Sequence, residues 1–128
     1  MLKRFLKSLK YSFRGLKFAF ISEQNFRIQT VIALVVIIGM IILPLQVLEI
    51  VVILIVIILV LMMEILNTAL EYFTDLLKPR LHSYVYTIKD LMSAAVLVSS
   101  LGAVTVGLII FIPYLVDFFK LCQKVNTI

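Results

Sequence analysis

Apolar and basic residues interleave at helical spacing near the start of the chain, and long charge-free runs follow. Leu2, Phe5, Leu6, Leu9, Phe13, Leu16 and Phe20 recur at three- and four-residue steps. Lys3, Arg4, Lys7, Lys10, Arg14 and Lys17 fill most of the gaps. A helix over about residues 2–20 then carries one apolar and one basic face, which suits it to lie on an anionic lipid surface. No charge occurs from Ile28 to Leu48, close to the ~20 residues that cross a bilayer. Pro44, Gln46 and Glu49 mark a short turn. Ile50 to Met63 is a pure run of Val, Ile, Leu and Met, too short to cross alone. The second span is therefore expected to continue through Glu64, Asn67 and Glu71 to about Leu77. Lys78-Pro79-Arg80 should end it, because proline lacks an N–H and disfavours helix in the residue before it. Leu91 to Val116 is the last charge-free run, with Pro113 near its end.

The pattern predicts an all-α integral membrane chain, a single domain over residues 1–128. It would have an N-terminal amphipathic surface helix and three transmembrane helices at about 28–48, 50–77 and 91–116. Composition agrees: 63% of residues are hydrophobic, 15% are charged, and the mean hydropathy is +1.18. A soluble domain is about half apolar and a quarter charged, and a chain this short has too little interior to absorb the excess. Disordered, collagen-like and coiled-coil classes are excluded, and so is a soluble nucleic-acid binder despite the net charge of +5. A lone cysteine, Cys122, rules out an internal disulfide, and a lone histidine, His82, cannot anchor a metal by itself. Neither a GxxxxGK[ST] nor a GxGxxG loop is present, which excludes the usual soluble nucleotide enzymes.

Charge also sets orientation. Residues 1–27 hold seven basic residues against Glu23 alone, the 44–49 turn has none, and the 78–90 connection has Lys78, Arg80 and Lys89. By the positive-inside rule, the N-terminus and the second connection face the cytoplasm, and the C-terminus lies outside.

Ionisable residues within a span cost roughly 2.5–3.5 kcal/mol each, so they demand a reason. At about 100° per residue, Glu64, Asn67, Glu71 and Asp75 fall near ~0°, ~300°, ~340° and ~20°, one narrow stripe bordered by Thr68. Carboxylates in such a stripe, with an amide between them, can hold Mg²⁺ and place a general base beside it. A helix–helix seam or a snorkelling helix end explains Asp75 equally well, but Glu64 lies too deep for that. Glu23 before the first span and Lys89-Asp90 before the third share the cytoplasmic side. Singly they read as a first-turn acid and a positive-inside anchor. Together with the stripe they supply acids for a metal and a cation for phosphate. A small proton-coupled transporter that uses Glu64 as its coupling site is the alternative from another class. It leaves Asn67, Glu71, Lys89 and Asp90 without roles.

The block Glu64-Ile65-Leu66-Asn67-Thr68-Ala69-Leu70-Glu71, followed by Asp75, Lys89-Asp90 and Ser93-Ala94-Ala95-Val96-Leu97, closely resembles the prokaryotic diacylglycerol kinase family. Glu23-Gln24-Asn25-Phe26-Arg27-Ile28 resembles the segment that family carries before its first span, and the likeness runs from about Tyr11 to Leu108. The resemblance implies a homotrimeric lipid kinase of the bacterial inner membrane, with active sites shared between protomers and ATP and Mg²⁺ as co-substrate and cofactor. It implies that Glu64 is the general base on the lipid hydroxyl and that Glu23 and Glu71 bind the metal at the nucleotide. Asn67 would orient the cluster, Lys89 and Asp90 would bind the nucleotide, and Tyr11 and Ser12 would help to cover it. Ile88 stands where the family has a small residue, and Tyr84, Tyr86 and Thr87 replace smaller or more basic ones. Gln29 occupies a position where relatives have His or Glu and is given no metal role. The Asn25-Phe26-Arg27-Ile28 string resembles the Gram-positive branch, which favours undecaprenol over diacylglycerol as the lipid alcohol.

Overall fold

The computed structural model describes residues 1–77 and 82–125. Among them run four helices: α1 (Leu2–Ser22), α2 (Gln24–Ile42), α3 (Val47–Leu77) and α4 (His82–Val125). Three stretches are long and apolar enough to cross a membrane, namely Gln24–Ile42, Val47–Leu77 and Tyr84–Lys120. These correspond to the three runs expected from the sequence, but their ends differ.

The first span stops at Ile42 rather than near residue 48. Pro44 disfavours helix in Leu43, which is extended and caps α2 by donating its N–H to the Gly39 carbonyl at 3.0 Å. The second helix starts at Val47, three residues earlier than expected, and Glu49 belongs to its first turn rather than to the connection. The Glu49 carboxylate accepts the Gln46 backbone N–H at 2.8 Å, the backward half of a capping box. α4, which carries the third span, begins at His82, well before residue 91, and continues to Val125. Charge marks where a bilayer can begin, whereas a helix needs only the absence of a breaker, and residues 82–90 contain none. Lys89 and Asp90 therefore stand on the helix itself and not in a connection. The predicted break at Lys78-Pro79-Arg80 lies outside the described residues.

Burial is inside out compared with a soluble protein. The buried apolar side chains are few and mostly small, Ala19, Phe26, Ala33, Ile53 and Val85, while Glu64, Asn67, Thr68 and Thr74 are buried as well. Ile, Val, Leu and Phe dominate the exposed surface. That arrangement is stable only where the surroundings are themselves hydrocarbon. α3 is the common partner, since α1, α2 and α4 all pack on it. Among the described residues no Cα of α2 comes within 8 Å of one on α4. Between them, floored by α3, lies an apolar cleft of about 370 Å³. Phe111 reaches across it so closely that a β-carbon at Gly39 would stand 3.4 Å from the ring. α1 meets α3 through an edge-to-face contact of Phe18 with Tyr72, their centroids 5.2 Å apart.

Candidate active site

The C-terminal half of α3 supplies most of the site. Its helical repeat puts Glu64, Asn67 and Thr68 on the packed side, and Glu64 is 1% exposed. The Gln29 Nε2 of α2 donates to Glu64 Oε2 at 3.1 Å, which closes the seam between the two helices around the carboxylate. Thr68 returns its hydroxyl to the Glu64 carbonyl at 3.0 Å. One turn on, the Asn67 amide donates to Glu71 Oε1 at 3.2 Å, and Thr74 donates to the Glu71 carbonyl at 3.0 Å. The i, i+4 spacing of Asn67 and Glu71 makes their bond a direct product of helix geometry.

Glu23 approaches the same cluster from the corner between α1 and α2. It is the single extended residue between them, and its N–H donates to the Ala19 carbonyl at 2.9 Å. Arg27 braces the corner by donating to the Ile21 carbonyl at 3.0 Å. Glu23 and Glu71 both lie within electrostatic reach of Glu64, and the Asn25 side chain reaches toward it as well. Glu64 thus has two further carboxylates within electrostatic reach, one from α3 and one from the α1–α2 corner.

Lys89 is engaged. Its Nζ pairs with Asp75 Oδ1 at 2.7 Å, with the two side chains 30% and 55% exposed. An ion pair so open to solvent is screened, and weak enough for an arriving phosphate to compete with it. Asp75 is therefore part of a seam between α3 and α4, while Asp90, the next residue after Lys89, is exposed. Tyr11 and Ser12 make their contacts within α1. The Lys7 ammonium stands 5.9 Å from the Tyr11 ring, and Ser12 donates to the Ser8 carbonyl at 3.2 Å. Both side chains are exposed and point to no partner on α3.

Among the described residues, two buried oxygens in the site have no hydrogen-bond partner, Gln29 Oε1 and Asn67 Oδ1. Buried acceptors ordinarily find a donor, so each one marks a place for something the chain does not supply. Among the described residues no three His, Cys, Asp or Glu side chains gather closely enough to hold a metal alone. Asn67 Oδ1 and the Glu71 carboxylate nevertheless offer hard oxygen donors on neighbouring turns of α3, and Glu23 adds a carboxylate within electrostatic reach of Glu64. Magnesium is commonly held by one or two carboxylates completed by substrate phosphates and water, and this set fits that demand. The residue that sequence reasoning set aside is Gln29. Its signal was an amide one residue inside an otherwise apolar run, but nothing local tells which residue of another helix it meets.

Residues 10–111 match the family described as prokaryotic diacylglycerol kinase. A diacylglycerol kinase of Synechocystis is 35% identical over 113 residues, covering 88% of this chain and 65% of that protein. An undecaprenol kinase of Bacillus subtilis is 32% identical over 114 residues, 89% of this chain and 93% of the relative. A diacylglycerol kinase of Escherichia coli is 33% identical over 101 residues, 79% and 83% of the two chains. The chain thus spans just under two thirds of the Synechocystis relative and most of the other two. With helices fit to span a membrane, an acidic cluster at one end of them and a family match over most of its length, the chain belongs to the prokaryotic diacylglycerol kinase family of membrane lipid kinases.

Proposed function

We propose that this chain transfers the γ-phosphoryl group of ATP to the hydroxyl of undecaprenol at the cytoplasmic face of a bacterial inner membrane, giving undecaprenyl phosphate and ADP. The observation that carries this reading is the buried Glu64, one hydrogen bond behind Gln29 in the wall of the apolar cleft. Gln29 and Ser100 are the polar residues of that wall, and the rest of the lining is aliphatic, Gly107 or Phe111. A diacylglycerol carries ester carbonyls just beyond its hydroxyl, and they would lie unpaired against such a surface at a desolvation cost. A polyprenyl chain brings only hydrocarbon. The Bacillus subtilis undecaprenol kinase also matches over nearly its whole length.

Glu64 takes the hydroxyl proton as the alcohol oxygen bonds to the γ-phosphorus and the bond to the β-phosphate oxygen breaks. Glu71 and Glu23, with the Asn67 oxygen, are the groups that would hold Mg²⁺, which when bound offsets phosphate charge. Lys89 leaves Asp75 to neutralise the phosphates, and Asp90 binds the nucleoside end. α1, basic on one side, lies on the membrane surface, so that Tyr11 and Ser12 help to cover the nucleotide. Glu71 is half-buried and Asp75 exposed in the single chain, which supports a homotrimer whose neighbours complete the site. The N-terminus is cytoplasmic and the C-terminus outside, in keeping with the basic residues of α1.

The deciding experiment supplies radiolabelled γ-phosphate with undecaprenol or diacylglycerol in parallel and counts label in the lipid extract. Label chiefly in undecaprenyl phosphate is expected. Label chiefly in phosphatidic acid moves the substrate to diacylglycerol, and label in neither lipid rejects the kinase.

A further inference from the structure

Gln29 is placed unlike any other polar residue among those described. Its Nε2 donates to Glu64 Oε2 at 3.1 Å, its Oε1 is buried without a partner, and the same side chain lines the apolar cleft between α2 and α4. The amide cannot be reversed at no cost, because the carbonyl oxygen would then face a carboxylate oxygen and both are acceptors. The donor end is therefore committed to Glu64, and the acceptor end is left at a surface whose other residues are nearly all hydrocarbon. Aliphatic walls supply no hydrogen, and a ligand made only of hydrocarbon would leave the oxygen unsatisfied. A ligand with an apolar tail and one O–H donor at its tip would satisfy both features.

We infer that Gln29 is the positioning residue for the acceptor alcohol, in which Nε2 fixes the catalytic carboxylate and Oε1 receives the hydroxyl of the lipid arriving along the cleft. This rests on the lipid-kinase reading and adds to it the group that reads the alcohol head. A hydroxyl has a single proton, so it donates to Gln29 Oε1 on docking and turns to Glu64 as its oxygen attacks phosphorus. The proton ends on Glu64, and Gln29 is unchanged. The two ends of one amide thereby separate two roles. Loss of the acceptor weakens lipid binding, and loss of the donor loosens Glu64 and slows the chemical step. Neither touches ATP.

The test uses the full chain in mild detergent with the variants Gln29→Leu and Gln29→Glu. Gln29→Leu removes both ends of the amide and should raise the KM for undecaprenol roughly three- to tenfold, the worth of one hydrogen bond. It should also lower kcat by roughly tenfold or more through misplacement of Glu64, with the KM for ATP unchanged. Gln29→Glu keeps an acceptor oxygen but sets a carboxylate against Glu64, so kcat should fall while the lipid KM stays near that of the natural chain. A purely structural residue would move the lipid KM, the ATP KM and kcat together, or none of them, and either pattern overturns the inference.

A second readout does not depend on turnover. With glutamine labelled at the side-chain carbonyl carbon, the Gln29 resonance is the one missing from Gln29→Leu. It should shift on addition of farnesol and stay in place with a hydrocarbon of matched length. The same response to both, or to neither, overturns the docking role even in an active enzyme. A shift with farnesol in a protein that phosphorylates no lipid supports the docking role and rejects the kinase.

Discussion

α3 carries one glutamate in its first turn and two in its second half, and their surroundings differ in one respect that separates scaffold from chemistry. At the N-terminal end, Glu49 Oε2 accepts the Gln46 backbone N–H at 2.8 Å and the Tyr114 hydroxyl at 2.6 Å. Those bonds cap α3 and tie it to α4, and the cluster leaves no buried atom without a partner among the described residues. In the second half, Glu64 is bonded by Gln29 and Glu71 by Asn67, yet among the described residues each of those amides retains a buried oxygen with no partner. A polar network finished within the chain holds helices together. One that is left open holds a place for a ligand, because an unsatisfied buried acceptor costs about 1–3 kcal/mol until something fills it. The two ends teach that the residue type says little: what matters is whether the hydrogen-bond account closes.

The comparison is broken most sharply at Glu64. Glu64→Gln keeps the shape and the seam but cannot accept the hydroxyl proton, and transfer should fall by roughly 10²–10⁴-fold, the usual weight of a general base. Radiolabel transfer by the purified variant checks this, with nucleotide binding as the control, and a rate within a few-fold of the natural chain would remove Glu64 from that role. Glu23→Ala and Glu71→Ala come next. Each should raise the Mg²⁺ concentration for half-maximal activity by roughly ten- to a hundredfold, and the double variant should be far from additive because the two act on one ion. Magnesium titrations of all three read this out, and an unchanged requirement in Glu23→Ala would confine the metal to α3. The smallest effect belongs to the Glu49 cluster. Tyr114→Phe should lower the melting temperature modestly, since the lost bond is to a charged acceptor, and leave transfer roughly within twofold when assayed below its melting range. A large loss of transfer in this variant, with stability intact, would make the N-terminal end of α3 part of the machinery after all.

Much of the Glu64–Glu71 cluster was legible because one helix carries it. The angular stripe of Glu64, Asn67 and Glu71 follows from helix geometry alone, and the Asn67–Glu71 bond follows from their i, i+4 spacing. Asp75 belongs to the same stripe, but Lys89 draws it into the α3–α4 seam, a pairing across 14 residues that no periodicity announces.

The sequence by itself determined how many helices can cross a membrane, which side of α3 is polar and where along α3 the carboxylates lie. Each of those depends on the hydrophobic run, the charge count or the helical repeat, and all are local. Only the tertiary structure decided where α2 stops, that α4 begins at His82, and that Gln29 meets Glu64 across 35 residues of chain. Only the packing of α2 and α4 on α3 with their backbones held apart opened the cleft beside that pair. The physical reason is that facing between helices is set by how their surfaces interlock. That property belongs to pairs of helices and leaves no repeat in either sequence.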